Sequence, residues 1–332
     1  MTLAVITDYT FNDVEIERAA LTAVGCRLDA RRLKERSDLI SLTCDADVVI
    51  TQFARIDAEV IAAMKQVRVI ARYGIGVDNV DLEAARAKGV PVCNVPDYCI
   101  DEVADQTLAM ALDLTRRITQ TSHCIHAGEW RLPVAIEEMR TLRDLSVGII
   151  GFGRIGREVA ARMKAFKGRV LVFDPVASAE TITALGCVPA TLEEIWAASD
   201  LISLHCPSTA QTRKILNAGT LAKCRKGVLI VNLSRGDLID TQALVAALAD
   251  GHVGAAALDV CDPEPIPAGH PLLAAPNVVL TPHVASVSVR AVHNLRSGVA
   301  QIAVRALTGQ PFVNVVNAVN GVVPSARKQA SA

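Results

Sequence analysis

The sequence predicts an α/β protein with two doubly wound parallel-sheet domains. Short apolar runs alternate with helix-like segments in two successive series, and a glycine-rich loop directly follows the first strand of the second series. The length of 332 residues suits two domains of ordinary size, and an apolar fraction of 51% is ample for packed cores. We therefore expect two folded domains built from βα units.

The first series occupies the N-terminal part of the chain. The predicted strands, which lie between amphipathic segments, are residues 3–7, 47–50 and 67–71. A helical pattern begins near Asp101, after Asn-Val-Pro-Asp at 94–97, and continues towards Gln120 with few helix breakers. We place a domain boundary immediately before this helix.

The second series contains six predicted strands, a number that suits a doubly wound sheet. They cover residues 145–151, 169–173, 201–205, 228–232, 254–258 and 278–280. Beyond them, residues 287–307 predict a final helix, and the tail from Pro324 is predicted to be loose.

Charge and cysteine content argue against several classes of protein. Lysine and arginine (34) nearly balance aspartate and glutamate (35), so no charge excess marks a surface for nucleic acid or an anionic membrane. The nine cysteines form no Cys-x-x-Cys pair, the chain opens without a signal-like leader, and its apolar runs are strand-length or broken by charge. We expect a cytoplasmic protein with free thiols, no metal site, no nucleic-acid partner and no membrane segment.

A dinucleotide-binding loop is predicted at Gly151-Phe-Gly-Arg-Ile-Gly156, between an apolar strand and a helix-like run. Gly151 permits the tight turn, Gly153 lets the backbone approach a pyrophosphate, and Gly156 lets helix and strand pack closely. Asp174, at the end of the next strand, suits the ribose hydroxyls and repels a 2′-phosphate, which favours NAD over NADP. The alternative is a structural glycine turn in some other α/β protein.

Three further segments place polar side chains directly after predicted strands, at 232–236, 258–265 and 281–283. Strand ends are where doubly wound sheets bind ligands. Hydride transfer to a 2-keto acid needs a cation for the carboxylate and a proton donor for the developing alkoxide, which Arg235 and His283 supply. Glu264 would orient and charge the imidazole. Taken singly, the three are also explained as a surface cation, a loop histidine and a solvated acid.

A glycine loop in the first series, Arg72-Tyr-Gly-Ile-Gly-Val-Asp-Asn79, is a candidate for anion binding. Backbone N–H groups of Gly74, Ile75 and Gly76 can bind a carboxylate, with Arg72 as a second cation for the same or another anionic group. The alternative is an ordinary turn.

Together these segments resemble the D-isomer-specific 2-hydroxyacid dehydrogenase family, which includes phosphoglycerate dehydrogenase, glyoxylate/hydroxypyruvate reductases and the C-terminal binding protein corepressors. The resemblance covers about Val67 to Ser288 and rests on 72–79, 151–156 with Asp174, His205-Cys-Pro, 232–236, 257–260, 262–265 and Thr281-Pro-His283. It implies that Arg235 binds substrate and that His283 is the acid/base, assisted by Glu264. It also implies cofactor contacts at Thr107, Arg154, Ile155, Asp174, Cys206, Pro207 and on to Thr212, Leu233, Ser234 and, near the nicotinamide amide, Asp259.

The resemblance further implies how the domains are arranged. A Rossmann NAD-binding domain, residues 99–288, is inserted into a discontinuous flavodoxin-like substrate domain, residues 1–98 and 289–332. The family is usually a homodimer through the cofactor domain, and residues 123–143, with Trp130 and Leu132, resemble the arm that embraces the partner. Trp130 is equally explained as an ordinary core residue.

The function expected from this resemblance is reversible hydride transfer between NAD(H) and C2 of a small 2-hydroxy or 2-keto acid, such as phosphoglycerate, glyoxylate or hydroxypyruvate. A first alternative is a non-catalytic NAD(H)-sensing scaffold of the corepressor type. The corepressors carry a tryptophan shortly after Thr-Pro-His, where this chain has Val-Ala-Ser at 284–286, so the enzyme is favoured. A second alternative is an NAD-dependent enzyme acting on formate or phosphite.

Overall fold

The computed structural model describes residues 1–319, and the predicted loose tail from Pro324 lies outside them. The chain forms two compact units. Unit 1 is Met1–Tyr98 with the described chain from Ser288, and unit 2 is Cys99–Val287. Within residues 1–319 no helix is both long and apolar enough to span a membrane.

Unit 1 contains one five-stranded parallel sheet. Its strands are β1 (Thr2–Ile6), β2 (Cys26–Ala30), β3 (Val48–Thr51), β4 (Val69–Arg72) and β5 (Val92–Cys93). Their order, β2-β1-β3-β4-β5, is that of flavodoxin. The strands β2 and β5 were not predicted, because β2 is a partly polar edge strand and β5 is only two residues long.

Helices cover both faces of this sheet. They are α1 (Glu15–Thr22), α2 (Arg36–Thr43), α3 (Ala58–Ala63), α4 (Leu82–Ala87) and the C-terminal helix Val289–Thr308. One core cluster packs α1 and the C-terminal helix against the sheet through residues such as Leu21 and Val299, both with no exposed surface. A second cluster lies on the opposite face around Leu39 and Ile61. The C-terminal helix begins where the Ser288 hydroxyl accepts a hydrogen bond from the N–H of Ala291.

Unit 2 contains a seven-stranded parallel sheet with helices between its strands. In chain order the elements are α5 (Ile100–Arg116), α6 (Ile118–His126), β6 (Ser146–Ile150), α7 (Arg154–Ala165), β7 (Arg169–Phe173), α8 (Ala179–Ala184), β8 (Val188–Pro189), α9 (Leu192–Ala198), β9 (Leu201–Leu204), α10 (Ala218–Leu221), β10 (Val228–Asn232), α11 (Thr241–Ala249), β11 (Val253–Leu258) and β12 (Val278–Leu280). The order is β12-β11-β10-β9-β6-β7-β8. Counted from β6, this is the Rossmann order 3-2-1-4-5-6 with β12 added at the edge.

The six predicted strands of the second series are all present. The added strand β8 is two residues long and contains a proline, which restricts it to the edge of a sheet. The predicted fold class, two doubly wound parallel-sheet domains, is therefore confirmed.

One helix was predicted where two are found. The helix α5 ends at Arg116, Arg117 adopts a left-handed conformation with φ 53°, and α6 starts at Ile118. The carboxylate of Asp113 accepts hydrogen bonds from both the backbone N–H and the hydroxyl of Thr119, each at 2.7 Å, which stabilises a new helix start. The expectation of one helix running towards Gln120 was wrong, because periodicity does not reveal this local cap.

Candidate active site

The dinucleotide loop joins β6 to α7. Gly151 has φ 97°, and a Cβ there would lie 2.6 Å from the backbone nitrogen of Cys206. A Cβ on Gly156 would collide with the carbonyl oxygen of Gly151, so helix and turn touch only because this residue is glycine. A Cβ on Gly153 would meet no atom within 4 Å. Gly153 therefore faces open space, as backbone approached by a pyrophosphate must.

The first turn of α7 is suited to an anion. Gly153 precedes the helix, no side chain caps it, and Arg154 and Ile155 are its first two residues. The N–H groups of an uncapped first turn point outward and favour negative charge. Together with the open space at Gly153, this geometry fits the pyrophosphate of a dinucleotide.

Asp174 follows β7 and ties this strand to the loop. Its Oδ2 accepts a hydrogen bond from the N–H of Phe152 at 2.6 Å, and its Oδ1 accepts from Val176 and Ala177 at 2.8 Å. Burial raises the pKa of Asp174, but these backbone hydrogen bonds lower it more, so the net pKa is below 3.8 and the group is a carboxylate. A carboxylate offers about four acceptor positions, which leaves one for a ribose hydroxyl.

Two further segments of the predicted cofactor site are joined at the carboxyl ends of β9 and β10. The hydroxyl of Ser234 donates to the carbonyl of Cys206 at 2.6 Å, and the hydroxyl of Thr212 donates to the carbonyl of Pro207 at 2.6 Å. Leu233 is buried.

Thr107 is placed differently from the other predicted cofactor residues. It lies in α5 with no exposed surface, and its hydroxyl donates to the carbonyl of Val103 at 2.7 Å. In this structure Thr107 therefore has no accessible surface for a cofactor.

The three predicted catalytic side chains come from segments that follow neighbouring parallel strands. Asn232 at the end of β10 pairs in register with Leu258 of β11, and Leu258 pairs with Leu280 of β12. Arg235, Glu264 and His283 follow these three strands in turn. Gly236 allows the first two segments to meet, since a Cβ there would collide with the carbonyl oxygen of Cys261. The packing role of Gly236 was not predicted from the sequence, where the only sign of it is a glycine directly after Arg235.

The imidazole of His283 is held by Glu264. Nδ1 lies 2.5 Å from Oε1 of the carboxylate, and the two side chains are 33% and 38% exposed. Burial raises the pKa of Glu264, whereas the hydrogen bond from His283 and the positive charges of His283 and Arg235 lower it, with a net shift below 4.5. The structure thus brings all three groups within electrostatic reach. Because Glu264 holds Nδ1, the ring nitrogen suited to proton exchange with a substrate is Nε2.

Asp259 holds the loop that carries His283. It is 1% exposed, its Oδ1 accepts from the hydroxyl of Thr281 at 2.5 Å and from the N–H of Val284 at 2.9 Å, and its Oδ2 accepts from the N–H of Ala285 at 2.9 Å. Its backbone carbonyl accepts the N–H of His283 at 2.8 Å. Sequence reasoning placed Asp259 at the nicotinamide amide and missed this supporting role.

In unit 1, the glycine loop follows β4. Gly74 has φ 142°, and a Cβ on it would collide with Nη1 of Arg72, so the guanidinium lies directly against the loop backbone. The carbonyl of Gly74 accepts the N–H of Val95 at 3.1 Å, and that of Ile75 accepts the side-chain amide of Asn94 at 2.6 Å. The loop is therefore fixed at two successive carbonyls.

The predicted dimerisation arm contains exposed apolar side chains. Trp130 is 93% exposed, Ile136 is 76% exposed and Leu132 is 43% exposed. The alternative that Trp130 is a core residue of this chain was therefore wrong.

Known dehydrogenases resemble this chain in sequence and in fold. The chain is 38% identical over 272 residues to D-3-phosphoglycerate dehydrogenase of Archaeoglobus fulgidus, covering 81% of this chain and 51% of that protein. It thus spans about half the length of the curated relatives it matches. Among solved structures, the TT0316 protein from Thermus thermophilus is 35% identical with a TM-score of 0.82, covering 95% of this chain and 100% of that one. D-lactate dehydrogenase from Aquifex aeolicus, solved with NAD and lactic acid, is 26% identical with a TM-score of 0.83, covering 92% and 96%.

A family model extends the comparison to the cofactor. The NAD binding domain of the D-isomer specific 2-hydroxyacid dehydrogenases matches residues 108–285, more than half of the chain and nearly all of unit 2. The glycine loop, the uncapped helix and Asp174 lie within this match, and NAD is the cofactor they fit. The chain therefore belongs to the D-isomer specific 2-hydroxyacid dehydrogenase family.

Proposed function

We propose that this protein is an NAD-dependent D-2-hydroxyacid dehydrogenase that interconverts a small 2-hydroxy acid and the corresponding 2-keto acid. The observation that carries the proposal is the 2.5 Å hydrogen bond between His283 and Glu264, whose carboxylate also feels the positive charge of Arg235. A guanidinium beside a carboxylate-supported imidazole meets the two needs of the reaction, which are to bind a carboxylate and to protonate a carbonyl oxygen.

Each catalytic group has a separate task in this proposal. The guanidinium of Arg235 binds the carboxylate of the acid with its planar fork. Nε2 of His283 donates a proton to the C2 oxygen during reduction and takes it back during oxidation. Glu264 accepts the Nδ1–H, fixes the ring orientation and stabilises the protonated imidazole. When bound, the nicotinamide supplies or accepts the hydride at C2.

The residues that would hold NAD lie at the carboxyl ends of the strands of unit 2. Gly153, Arg154 and Ile155 would bind the pyrophosphate through backbone N–H groups. Gly151 and Gly156 would serve this site by forming the tight turn and its close contact with the helix. Asp174 would accept a hydrogen bond from one ribose hydroxyl. The segments 206–212 and 233–234, joined by the Ser234 hydrogen bond, would line the remainder of the cofactor.

We assign unit 1 as the substrate-binding domain. Gly74, Ile75 and Gly76 would bind an anionic group of the substrate, and Arg72, whose guanidinium lies against the loop, would add positive charge. The relatives named phosphoglycerate dehydrogenase make phosphohydroxypyruvate the first substrate to test, and the lactate dehydrogenase structure makes pyruvate the second.

We also propose a cytoplasmic homodimer. The exposed Trp130, Leu132 and Ile136 support a protein–protein contact, because large apolar side chains in one exposed segment mark interaction surfaces. Light scattering of the wild type and of Trp130→Ser tests this proposal: a dimer that becomes a monomer supports it, and a monomeric wild type contradicts it.

The activity is tested by oxidation of NADH with phosphohydroxypyruvate, hydroxypyruvate, glyoxylate and pyruvate, and by reduction of NAD with formate. The variant His283→Gln should lower kcat/KM by about 10²- to 10⁴-fold while NADH still binds. If the wild type binds NADH but turns over none of these acids, the proposed dehydrogenase activity is contradicted. The alternative function, a cofactor-sensing scaffold, would then be favoured. Comparing Arg72→Ala with the wild type across mono- and dianionic acids shows whether Arg72 binds a second anionic group.

A further inference from the structure

A buried ion pair lies behind the glycine loop of unit 1. Glu17 of α1 has no exposed surface, and Arg296 of the C-terminal helix is 7% exposed. Nη2 of Arg296 donates to Oε2 of Glu17 at 2.8 Å, and Nε donates to Oε1 at 3.0 Å. This is the two-point contact of a guanidinium with a carboxylate, the geometry that buried charges need to offset the loss of hydration.

Tyr73 connects this pair to the loop. Its hydroxyl donates to Oε1 of Glu17 at 3.0 Å, and the side chain is almost completely buried. Its ring packs edge-on against Phe11, with centroids 5.3 Å apart, and the guanidinium of Arg296 lies 5.3 Å from the centre of the same Phe11 ring. Burial and the charge of Glu17 raise the pKa of Tyr73 well above 10, so the hydroxyl keeps its proton and remains a donor.

Because Tyr73 is part of the glycine loop, its hydrogen bond to Glu17 also restrains the backbone of that loop. Tyr73 stands between Arg72, whose guanidinium lies against the loop, and Gly74, the first proposed anion-binding residue. The backbone N–H of Tyr73 donates to the carbonyl of Thr51 at 2.9 Å. Backbone and side chain of Tyr73 are thus held by different elements, which restricts rotation of the peptide groups on either side.

We propose that Glu17, Arg296 and Tyr73 form a positioning network that orients the anion-binding loop Arg72–Gly76 without touching the substrate. The inference rests on the anion-binding role proposed above for this loop. It predicts that side chains on α1 and on the C-terminal helix determine how tightly the substrate anion binds, because loop amides bind an anion well only when they are held in one orientation.

The test uses Tyr73→Phe, which keeps the ring, the packing and the ion pair and removes only the hydroxyl. We expect KM for the 2-keto acid to rise about fivefold, the effect of one hydrogen bond worth about 1 kcal/mol. We expect kcat to change by less than about twofold and the Kd for NADH to stay constant, since hydride transfer and cofactor binding use other groups. Arg296→Lys, which keeps the charge but loses the two-point contact, should raise KM in the same direction.

Arg68→Lys is the matched control. Arg68 directly precedes β4 in the same unit, and its side chain, 12% exposed, donates to Asp47 at 3.0 Å. The same substitution in a similar pair should lower the melting temperature and leave KM unchanged. Circular dichroism establishes that each variant is folded.

The Kd of oxamate, a non-reacting analogue of a 2-keto acid, is measured by calorimetry with NADH bound, so that the result does not depend on turnover. Wild-type affinity in both Tyr73→Phe and Arg296→Lys would overturn the inference, and so would an equal loss of affinity in Arg68→Lys. A wild type that binds oxamate but turns over no acid would contradict only the proposed activity. A wild type that binds no oxamate would contradict both.

Discussion

The carboxylate of Asp259 accepts a hydrogen bond from the backbone N–H of Ala285 at 2.9 Å, and its other oxygen accepts from the N–H of Val284. These contacts close the loop around His283, which has φ 53°, a value that residues other than glycine adopt rarely. Such a conformation persists when the surroundings over-determine it. A buried aspartate that is not one of the three proposed catalytic groups therefore sets where the imidazole points.

The first prediction concerns Asp259→Asn. The variant keeps the size of the side chain, but its NH₂ group cannot accept the hydrogen bonds that one carboxylate oxygen accepted. We expect kcat to fall on the order of 10²-fold, as for a catalytic group displaced by about 1 Å, together with a lower melting temperature. Steady-state kinetics at saturating NADH and thermal unfolding measure both. Wild-type kcat in a destabilised Asp259→Asn would show that the loop positions His283 without this carboxylate.

The second prediction concerns the reaction rate of Glu264→Gln. A neutral amide does not stabilise a protonated imidazole, so reduction of the 2-keto acid should slow roughly 10- to 100-fold at neutral pH. The control is Asp262→Asn, which removes an exposed neighbouring charge and leaves the bond to His283 in place. A wild-type rate in Glu264→Gln, measured by oxidation of NADH, would contradict the assignment.

The same carboxylate gives a third prediction, for stability. The pKa of Glu264 is lower in the folded protein than its ordinary value of 4.5. A lowered folded pKa stabilises the fold at pH above the unfolded value, and this contribution disappears as the pH falls through the folded pKa. Denaturant unfolding of the wild type should therefore lose stability below about pH 4.5 that Glu264→Gln does not lose. Parallel stability curves for the two proteins would argue against the lowered pKa.

The fourth prediction separates the two glycines that begin the dinucleotide loop. Gly151→Ala should fail to accumulate as folded protein, because the residue has φ 97° and a Cβ would press on the backbone of Cys206. Gly153→Ala should fold normally, because its Cβ meets no protein atom, yet bind NADH at least about tenfold more weakly if the backbone must approach the pyrophosphate. Fluorescence titration and circular dichroism distinguish the two. Tight NADH binding by Gly153→Ala would exclude this loop as the pyrophosphate site.

The fifth prediction concerns the choice of dinucleotide. Asp174→Asn removes the negative charge that faces a 2′-phosphate, so the ratio of kcat/KM for NADH to that for NADPH should fall about tenfold or more. Glu180→Gln removes one charge from the exposed surface of the following helix and serves as the control. An unchanged ratio in Asp174→Asn would mean that another group selects the cofactor.

The fold was predictable where the pattern was strong. All six strands predicted for unit 2 are present, because strands buried on both faces appear in the sequence as continuous apolar runs. The strands β2, β5 and β8 were missed because they are polar, very short or contain proline. The break at Arg117 was missed because it depends on the hydrogen bonds from Thr119 to Asp113, which periodicity does not report.

The residues of the candidate site were likewise only partly predictable from the sequence. The amino-acid sequence was enough to name the proposed catalytic groups, since Arg235, Glu264 and His283 each follow a strand, and parallel strands bring their carboxyl ends to one edge of a sheet. The side chains that support the site could be identified only from the fold. Glu17 and Arg296 are 279 positions apart in the chain and meet only because α1 and the C-terminal helix pack on the same face of one sheet. Contacts between such distant positions arise from packing, and no local pattern in a single sequence encodes them.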